Sequence, residues 1–310
     1  MTIVMGIDGG GSAVRVVVCD SDLTVLGQSQ GPTANPSLVG YETAAQAIRA
    51  AMRGALAQAG LDADRIAAVG IGVAGAAGVA FKAWLREAIR AVTPQALPAL
   101  SADYEIALVG AHGRRCGVLV LAGTGSLSYG VNAAGDAMLA GGWGYLLGDE
   151  GSGYWLGREG MRAAIHALEG RGPDTSLREV LFTALGLESP RDLIPRLYGS
   201  QTAVREIAAL APVVMGQARG GDPVAAAIVT QAAEALAGAA SAVIRRLHME
   251  SAPIAFAGGL LSAPTPLREK LCAVMGIPCP PESRYPPVIG AAILALDAIK
   301  AGRSAGQPRG

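Results

Sequence analysis

The chain alternates between short apolar runs that end in glycine and longer segments with helical periodicity. Its first residues form an apolar run over Ile3–Ile7, and after a glycine turn Val14, Val16 and Val18 follow at a spacing of two. Apolar residues in this arrangement on either side of a turn predict a pair of β-strands. Further strands are predicted at Leu23–Gln28, Ile66–Val73, Cys116–Ala122, Leu127–Val131 and Ile254–Ala257.

Between these runs the apolar residues recur every three to four positions, which is the period of an amphipathic helix. The predicted helices span Thr43–Ala59, Phe81–Val92, Tyr104–Ala111, Gly153–Leu168, Ser176–Leu185, Pro190–Tyr198, Val204–Arg219, Pro223–Leu247 and Pro287–Ala301. The four helices from Ser176 to Leu247 carry no cluster of catalytic residue types, so we interpret them as scaffold. Strands that alternate with helices in this way are typical of α/β proteins.

Glycine turns follow three of the predicted strands. The first is Asp8-Gly-Gly-Gly-Ser12, the second is Gly123-Thr-Gly-Ser126, and the third begins at Gly258. Backbone amides in turns without side chains can approach an anion closely, so the three turns predict a clamp for a nucleotide polyphosphate. The first turn taken alone would also suit an ordinary hairpin. Because its strand–turn–strand pattern recurs at the second turn, we predict a duplicated structural unit.

The stretch Gly141-Gly-Trp-Gly-Tyr-Leu-Leu-Gly-Asp-Glu-Gly-Ser152 is the most unusual in the sequence. It combines glycines, large apolar residues and an acidic pair in one connection, directly before a predicted helix. A long glycine-rich loop inside a compact domain is more often functional than not. Residues such as Trp143 and Leu146 are poor linker residues, which disfavours a flexible linker at this point.

Charge and composition narrow the possible functions. The 310 residues include 25 basic and 25 acidic side chains, so the net charge is zero and offers no electrostatic basis for binding nucleic acid or an anionic membrane. We find no secretory signal pattern and no uninterrupted apolar stretch of the roughly 18 residues that a membrane helix requires. Cys19, Cys116, Cys272 and Cys279 lack the CxxC spacing of zinc or redox sites. We therefore expect a reduced, soluble, cytoplasmic protein.

These motifs together resemble those of sugar kinases in the actin and hexokinase-like ATPase superfamily, and within it the N-acetylglucosamine kinase group of the BadF/BadG/BcrA/BcrD-type ATPase family. The matching residues are Gly6-Ile-Asp-Gly-Gly-Gly-Ser12, Asn35, Ser101-Ala-Asp103, Ala122-Gly-Thr-Gly-Ser126, Gly141-Gly-Trp-Gly to Gly148-Asp-Glu-Gly-Ser152, and Ala257-Gly-Gly259. They cover nearly the whole chain in the family's order. The resemblance implies a two-lobed α/β fold of duplicated ribonuclease-H-like units that close over ATP and an amino sugar.

The domain boundaries follow from this fold. Residues 1–115 are expected to form the N-terminal lobe, joined by the C-terminal helix 287–301. Residues 116–286 are expected to form the second lobe with a helical insertion, and residues 302–310 are predicted to be a disordered tail. We further expect a homodimer.

The resemblance also implies roles for individual residues. Asp103 would be the general base that takes the proton of the sugar 6-hydroxyl as this group attacks the γ-phosphate, and Asp8 would hold Mg²⁺. The residues implied to contact phosphate or the rest of the nucleotide are Gly10, Gly11, Ser12, Thr124, Gly125, Gly258 and Gly259. Those implied to bind the sugar are Asn35, Ser126, Trp143, Gly144, Asp149 and Glu150, with Gly75 as a further candidate.

Several of these residues also have simpler interpretations. Asp103 precedes a predicted helix and could cap it, and Glu150 could cap the helix that follows it. Asn35 stands before Pro36 and could be a turn residue. The loop after Val73 is less polar than in some relatives, which leaves the substituent at sugar C2 undetermined.

Three classes of function are compared. The first is a kinase for N-acetylglucosamine, with glucosamine and N-acetylmuramic acid as alternative acceptors. The second is an ATPase that activates a dehydratase or reductase by electron transfer, through an iron–sulfur cluster held by cysteines of two subunits. Cys116 stands alone before the second turn, which disfavours that class. The third is a nucleotide-binding regulator without turnover, and no DNA-binding segment supports it.

Overall fold

The computed structural model describes residues 1–75, 79–198 and 203–305. The strands are β1 (Ile3–Gly9), β2 (Ala13–Asp20), β3 (Val25–Pro32), β4 (Ile66–Val73), β5 (Leu97–Ala102), β6 (Gly117–Ala122), β7 (Ser126–Val131), β8 (Ala137–Gly141) and β9 (Ile254–Ala257). The helices are α1 (Pro36–Val39), α2 (Tyr41–Ala59), α3 (Val79–Arg90), α4 (Asp103–His112), α5 (Gly153–Leu168), α6 (Leu177–Ala184), α7 (Leu193–Tyr198), α8 (Ala203–Ala208), α9 (Ala211–Arg219), α10 (Pro223–Leu247), α11 (Pro266–Met275) and α12 (Pro287–Ala305). Short 3₁₀ helices lie at Ala63–Arg65 and Pro190–Asp192.

The chain divides into two compact units. Unit 1 comprises Met1–Cys116 and Ser283–Gly310, and unit 2 comprises Gly117–Glu282. The sheet of unit 1 has five strands in the order β3-β2-β1-β4-β5, of which β1, β4 and β5 are parallel. Their carboxyl ends therefore lie at one edge of the sheet, which is where open α/β sheets bind ligands.

The sheet of unit 2 repeats this arrangement with four strands in the order β8-β7-β6-β9. Strands β6, β7 and β8 are antiparallel neighbours, as β1, β2 and β3 are in unit 1. Strand β9 is parallel to β6, as β4 is parallel to β1. The predicted α/β class and the predicted duplication are thus confirmed. The recurrence of the glycine turn after β6 reflects this common topology.

Each unit has its own apolar core. In unit 1, α2 and α3 pack against the sheet through residues such as Ile48, Met52 and Leu85, which are fully buried. In unit 2 the core is formed largely by α5, α9 and α10, and it includes the buried Leu156 and Leu236. The segments interpreted as scaffold therefore build the interior of unit 2.

Among the described residues, only helix α10 has the length and apolar composition that a membrane-spanning helix requires. Its Val229, Ala232, Leu236 and Ala240 side chains are buried in the core of unit 2. Burial against the other helices accounts for the apolar character of this face.

The third strand differs from its prediction because of a tight turn. Leu23, the predicted first residue, has a φ of +65°, which excludes it from an extended strand. The side chain of Asp20 accepts hydrogen bonds from the amides of Asp22 and Thr24, both at 2.9 Å, and so stabilises the turn. The strand consequently begins at Val25 and runs to Pro32.

Two predicted helices require correction, and two elements were missed. The predicted helix Val204–Arg219 is divided into α8 and α9, because Pro212 lies in the first turn of α9 and a proline cannot continue a preceding helix. The missed elements are strand β8 and helix α11. Strand β8 has only five residues, which are too few to show a clear alternation of apolar and polar positions. Helix α12 continues to Ala305 rather than ending at Ala301, because one glycine at position 302 costs only about 1 kcal/mol in a helix. Residues 306–310 of the predicted tail lie outside the described part of the chain.

The last segment of the chain returns to unit 1 before α12 begins. The amides of Arg284 and Tyr285 donate hydrogen bonds to the carbonyls of Ala111 and Gly110 at the end of α4, at 3.1 and 3.0 Å. Helix α12 then packs directly on β1 and β4. These backbone contacts explain why the second segment of unit 1 begins at Ser283.

Candidate functional site

Two aspartates lie at the edge of the unit 1 sheet where its parallel strands end. Asp8 is the last residue but one of β1, and Asp103 follows β5 as the first residue of α4. Asp8 pairs with Gly72 of β4, which in turn pairs with Ser101 near the end of β5. The parallel register thus brings together two carboxylates that are far apart in the sequence.

Asp103 is not the helix cap that its position before α4 suggests. Strand β5 continues to Ala102, which occupies the cap position with extended backbone angles and provides no side-chain hydrogen bond. The Asp103 carboxylate nevertheless accepts hydrogen bonds from the amides of Asp103 and Tyr104 in the first helical turn. This arrangement fixes the direction of the carboxylate at the start of α4.

The surroundings of both aspartates raise their pKa values. Removal from water is the main cause for Asp103, although the two amides partly oppose it. The pKa of Asp8 is raised to about 6, chiefly by burial; the Arg15 guanidinium at 3.7 Å lowers it and the charge of Asp103 raises it. Perturbed carboxylates at the end of parallel strands are typical of functional sites.

The raised pKa of Asp8 predicts a pH-dependent gain in stability for Asp8→Asn. The folded protein binds the Asp8 proton more tightly than the unfolded chain, so wild-type stability falls as the pH rises from about 4 to about 6. Asparagine does not titrate, and we expect the variant to be more stable by up to about 3 kcal/mol at pH 7 and by nothing below pH about 4. Urea unfolding of both proteins across this range measures the difference. The exposed Asp64→Asn is the control, and an equal gain at every pH would contradict the prediction.

The acidic residues fit a Mg²⁺ ion that binds together with phosphate. Mg²⁺ is usually held by one or two carboxylates, water and substrate phosphates rather than by a cage of protein ligands. Asp8 and Asp103 are close enough for the charge of one to raise the pKa of the other. Across residues 1–75, 79–198 and 203–305, no three His, Cys, Asp or Glu side chains form a group that could hold a metal. The donor set therefore does not suit a metal held by the protein alone.

The first glycine turn lies beside the Asn35 segment in unit 1. Gly11 and Ser12 are exposed at the tip of the turn, and the Gly10 carbonyl accepts a hydrogen bond from Thr33 at 3.1 Å. Asn35 caps the short helix α1, since its side chain accepts a hydrogen bond from the Ser37 amide at 2.9 Å. Asn35 therefore has a local capping role, and this partly buried residue lies close to the first glycine turn.

Gly75 follows β4 and is the last residue described before residue 79. It has a φ of +74°, and a Cβ atom at this position would overlap the Asn35 carboxamide. The Ser37 hydroxyl donates a hydrogen bond to the Gly75 carbonyl at 3.0 Å. The structure thus places Gly75 directly against Asn35, and the rest of the 72–78 glycine stretch, residues 76–78, lies outside the described residues.

The second and third glycine turns lie next to each other at the edge of the unit 2 sheet. They follow β6 and β9, which are parallel neighbours, and the Leu260 amide donates to the Ala122 carbonyl at 3.1 Å. A Cβ atom at Gly258 would overlap the Ala122 backbone, so glycine is required there. The carbonyls of Gly123 and Thr124 accept hydrogen bonds from the first amides of α5. The second turn is thereby held by the helix that follows the 141–152 loop.

Asp149 organises the 141–152 loop. Its φ of +61° is strained for a residue other than glycine. Its carboxyl accepts hydrogen bonds from the amides of Ser126 and Gly144, and a Cβ atom on Gly125 would lie 2.7 Å from one of its oxygens. Partial burial raises its pKa, the two amides oppose this, and the charge of Glu150 adds to it. The carboxylate therefore connects the second glycine turn with the loop.

The other predicted sugar residues of unit 2 have different environments. The Trp143 side chain is 76% exposed, and Gly144 beside it is also exposed. Ser126 is buried, and its hydroxyl donates to the Glu150 carbonyl at 2.8 Å. Glu150 is exposed and does not cap α5, because Ser152 occupies the cap position and accepts from the Trp155 amide. Trp143 and Glu150 are thus accessible to a ligand.

The cysteines do not share one environment. All four are free; Cys19 and Cys272 are buried, Cys116 is partly buried and Cys279 is exposed. Cys272 and Cys279 are hydrogen-bonded to each other at the end of α11. Within the described residues, no group of three or more His, Cys, Asp or Glu side chains that could hold a metal includes Cys116.

Sequence reasoning missed two charged residues beside the aspartates. Arg15 lies opposite Asp8 in the β1–β2 pair, and a charged residue among the valines of β2 is the signal that indicates it. Glu105 accepts hydrogen bonds from Ser101 and Arg115, both at 2.6 Å, and so anchors the first turn of α4. The contacts of Glu105 with Ser101 and Arg115 depend on tertiary packing, and no local sequence pattern indicates them.

The family model described as the BadF/BadG/BcrA/BcrD ATPase family matches residues 5–295 of the chain. A relative from Clostridium acetobutylicum, named N-acetylmuramic acid/N-acetylglucosamine kinase, is 33% identical over 84% of this chain and 86% of its own length. A second relative, N-acetyl-D-glucosamine kinase from Dictyostelium discoideum, is 31% identical over 96% of this chain and 99% of its own.

Solved structures resemble the whole chain. A protein from Chromobacterium violaceum, provisionally named an N-acetylglucosamine kinase, superimposes with a TM-score of 0.76 and 30% identity, covering 95% of this chain and 99% of its own. The ROK hexokinase from Thermus thermophilus has a TM-score of 0.61 and 19% identity, covering 97% and 100%. The likeness to the second structure concerns the fold alone, and it confirms the predicted hexokinase-like ATPase fold.

Proposed function

The chain belongs to the BadF/BadG/BcrA/BcrD ATPase family, and we propose that it is an ATP-dependent kinase for the 6-hydroxyl of an amino sugar. N-acetylglucosamine is the proposed acceptor, with glucosamine and N-acetylmuramic acid as alternatives. The observation that carries the proposal is the pair of neighbouring carboxylates, Asp8 and Asp103, at the carboxyl edge of the unit 1 sheet. Phosphoryl transfer needs one acidic group to accept a proton and another to bind the metal.

Asp103 is the proposed general base. Its raised pKa makes it a stronger proton acceptor than an exposed aspartate, and the amides of α4 hold its carboxylate in one direction. Asp103 takes the proton of the sugar 6-hydroxyl while that oxygen bonds to the γ-phosphorus. The bond from the γ-phosphorus to the bridging oxygen breaks at the same time, and ADP leaves with the electron pair.

Asp8 is the proposed carboxylate for Mg²⁺, either directly or through water. Mg²⁺ bound with ATP would neutralise charge on the transferred phosphate. With a pKa of about 6, Asp8 is largely ionised at pH 7, and the Arg15 guanidinium lies close enough to balance its charge in the free enzyme.

The glycine turns are the proposed nucleotide ligands. In unit 1 the proposed phosphate contacts are Gly10, Gly11 and Ser12, and in unit 2 they are Thr124 and Gly125. Gly258 and Gly259 are assigned to the base and ribose, which is supported by the position of their turn beside the second turn. Backbone amides bind phosphate without a P-loop, whose Gly-x-x-x-x-Gly-Lys-Ser/Thr pattern this sequence lacks.

Each unit contains candidate sugar contacts. Asn35 in unit 1 is supported by its position beside the phosphate turn. In unit 2 the exposed Trp143 offers an aromatic face, and a carboxylate such as Glu150 can accept hydrogen bonds from sugar hydroxyls. Gly144, Asp149 and Ser126 complete the proposed set. The amino-sugar class is supported by the names of the two relatives.

A coupled assay for ADP tests the proposed activity. We expect Mg²⁺-dependent ADP formation with N-acetylglucosamine, slower formation with glucosamine and N-acetylmuramic acid, and none without sugar. Identification of the 6-phosphate by NMR fixes the position of transfer. No turnover with any of the three sugars would contradict the proposal, and a brown, iron-containing protein would favour the electron-transfer class instead.

A cytoplasmic location and a homodimer complete the proposed description. The free thiols are consistent with a reducing compartment, since disulfides form mainly in oxidising ones. Light scattering on the purified protein measures the oligomeric state directly, and a monomer at all concentrations would contradict the dimer.

A further inference from the structure

Thr33 lies between β3 and Asn35, and its hydroxyl joins two parts of unit 1. The Oγ1 atom donates a hydrogen bond to the Gly10 carbonyl at 3.1 Å and accepts one from the Asn35 amide at 3.2 Å. Thr33 is partly buried, and the next residue, Ala34, is fully buried. One side chain therefore connects the first glycine turn with the Asn35 segment.

At the first end of this connection, Thr33 orients a peptide group of the phosphate turn. The Gly10 carbonyl belongs to the peptide group that also contains the Gly11 N–H. Because a peptide group is planar and trans, the direction of its carbonyl determines the direction of its N–H. A turn of successive glycines has more backbone freedom than any other sequence, so a fixed carbonyl restricts it markedly.

At the second end, Thr33 holds the backbone of Asn35. The side chain of Asn35 in turn accepts a hydrogen bond from the Ser37 amide at 2.9 Å, and the Ser37 hydroxyl donates to the Gly75 carbonyl at 3.0 Å. The hydrogen bonds thus continue from the first glycine turn through Thr33 to Asn35, and from there to Gly75, which follows β4.

We propose that Thr33 is a positioning residue that couples nucleotide binding to sugar binding. The inference rests on the proposed function, because it takes Gly10 and Gly11 as phosphate contacts and Asn35 as a sugar contact. A nucleotide that orders the glycine turn also orders Asn35 through the Thr33 hydroxyl. The sugar then binds to a segment whose backbone is already ordered, and less conformational entropy is lost on binding. Such coupling is reciprocal, and the sugar strengthens nucleotide binding by the same factor.

Calorimetric titration of a non-hydrolysable ATP analogue with Mg²⁺, with and without saturating N-acetylglucosamine, measures the coupling. In the wild type we expect the sugar to tighten analogue binding by at least about fivefold. In Thr33→Val, which keeps the shape but loses both hydrogen bonds, we expect a factor below about two. Thr33→Ser retains the hydroxyl and is expected to retain the coupling.

Thr183→Val is the matched control, because the Thr183 hydroxyl bonds to the Glu179 carbonyl within its own helix α6. It is expected to show the wild-type factor. Thermal melting verifies that each variant is folded, and Thr33→Ala provides the same comparison if the valine variant does not fold.

The outcomes separate this inference from the kinase proposal. An unchanged factor in Thr33→Val overturns the inference, and so does a serine variant as uncoupled as the valine variant. A wild type that forms ADP but shows no coupling overturns the inference and leaves the kinase proposal intact. A wild type that neither binds sugar nor forms ADP overturns both.

Discussion

Replacing Asp103 with asparagine is expected to lower kcat by two to four orders of magnitude, the range that a positioned general base contributes. Asparagine keeps the size of the side chain but cannot accept the proton of the sugar hydroxyl. It can still accept the hydrogen bonds from the amides of Asp103 and Tyr104 through its carbonyl oxygen. We therefore expect the Kd values of ATP and sugar to stay within about threefold of the wild type.

The pH profile provides a second measurement of this role. In the wild type, kcat/KM is expected to rise with pH through the raised pKa of Asp103, because the base must be ionised. The residual activity of Asp103→Asn should lack this rise. The exposed Asp64→Asn is expected to retain both turnover and the profile. Ligand binding that weakens as much as turnover would identify Asp103 as a structural residue instead.

Replacing Gly70 with alanine is expected to destabilise unit 1 by about 3 kcal/mol or more. Gly70 lies in the middle of β4, and a Cβ atom there would overlap the carbonyl oxygen of Ala291 in α12. Both partners are backbone, so no side-chain rotation can relieve the overlap. The helix would have to move away from the sheet, and the contacts of α12 with β1 and β4 would be lost.

Gly238→Ala is the matched control for this prediction. Gly238 lies inside α10, and nothing within 4 Å would meet its Cβ atom. Alanine is favoured over glycine in helices by about 1 kcal/mol, so this variant should be slightly more stable than the wild type. Urea unfolding with equal amounts of each protein measures both changes. A Gly70→Ala variant as stable as the wild type would show that α12 does not pack closely on β4.

Local pattern by itself determined the bounds of several elements. The predicted bounds of Ile66–Val73, Gly153–Leu168, Pro223–Leu247 and Ile254–Ala257 are those of β4, α5, α10 and β9. Apolar periodicity and flanking glycines lie within each element, so they can be read without knowing its neighbours. The same local signals marked the glycine turns, and the resemblance of the motifs indicated the family.

The tertiary structure alone decided which residues touch. It placed Arg15 opposite Asp8, connected Thr33 with Gly10, and assigned the Asp149 carboxylate to the amides of Ser126 and Gly144. It also showed that α12 covers Gly6 and Gly70 of the unit 1 sheet. A hydrogen-bond partner or a close backbone approach depends on strand register and on packing between distant segments. Periodicity within one segment carries no information about either, because it reports only which face of that segment is buried.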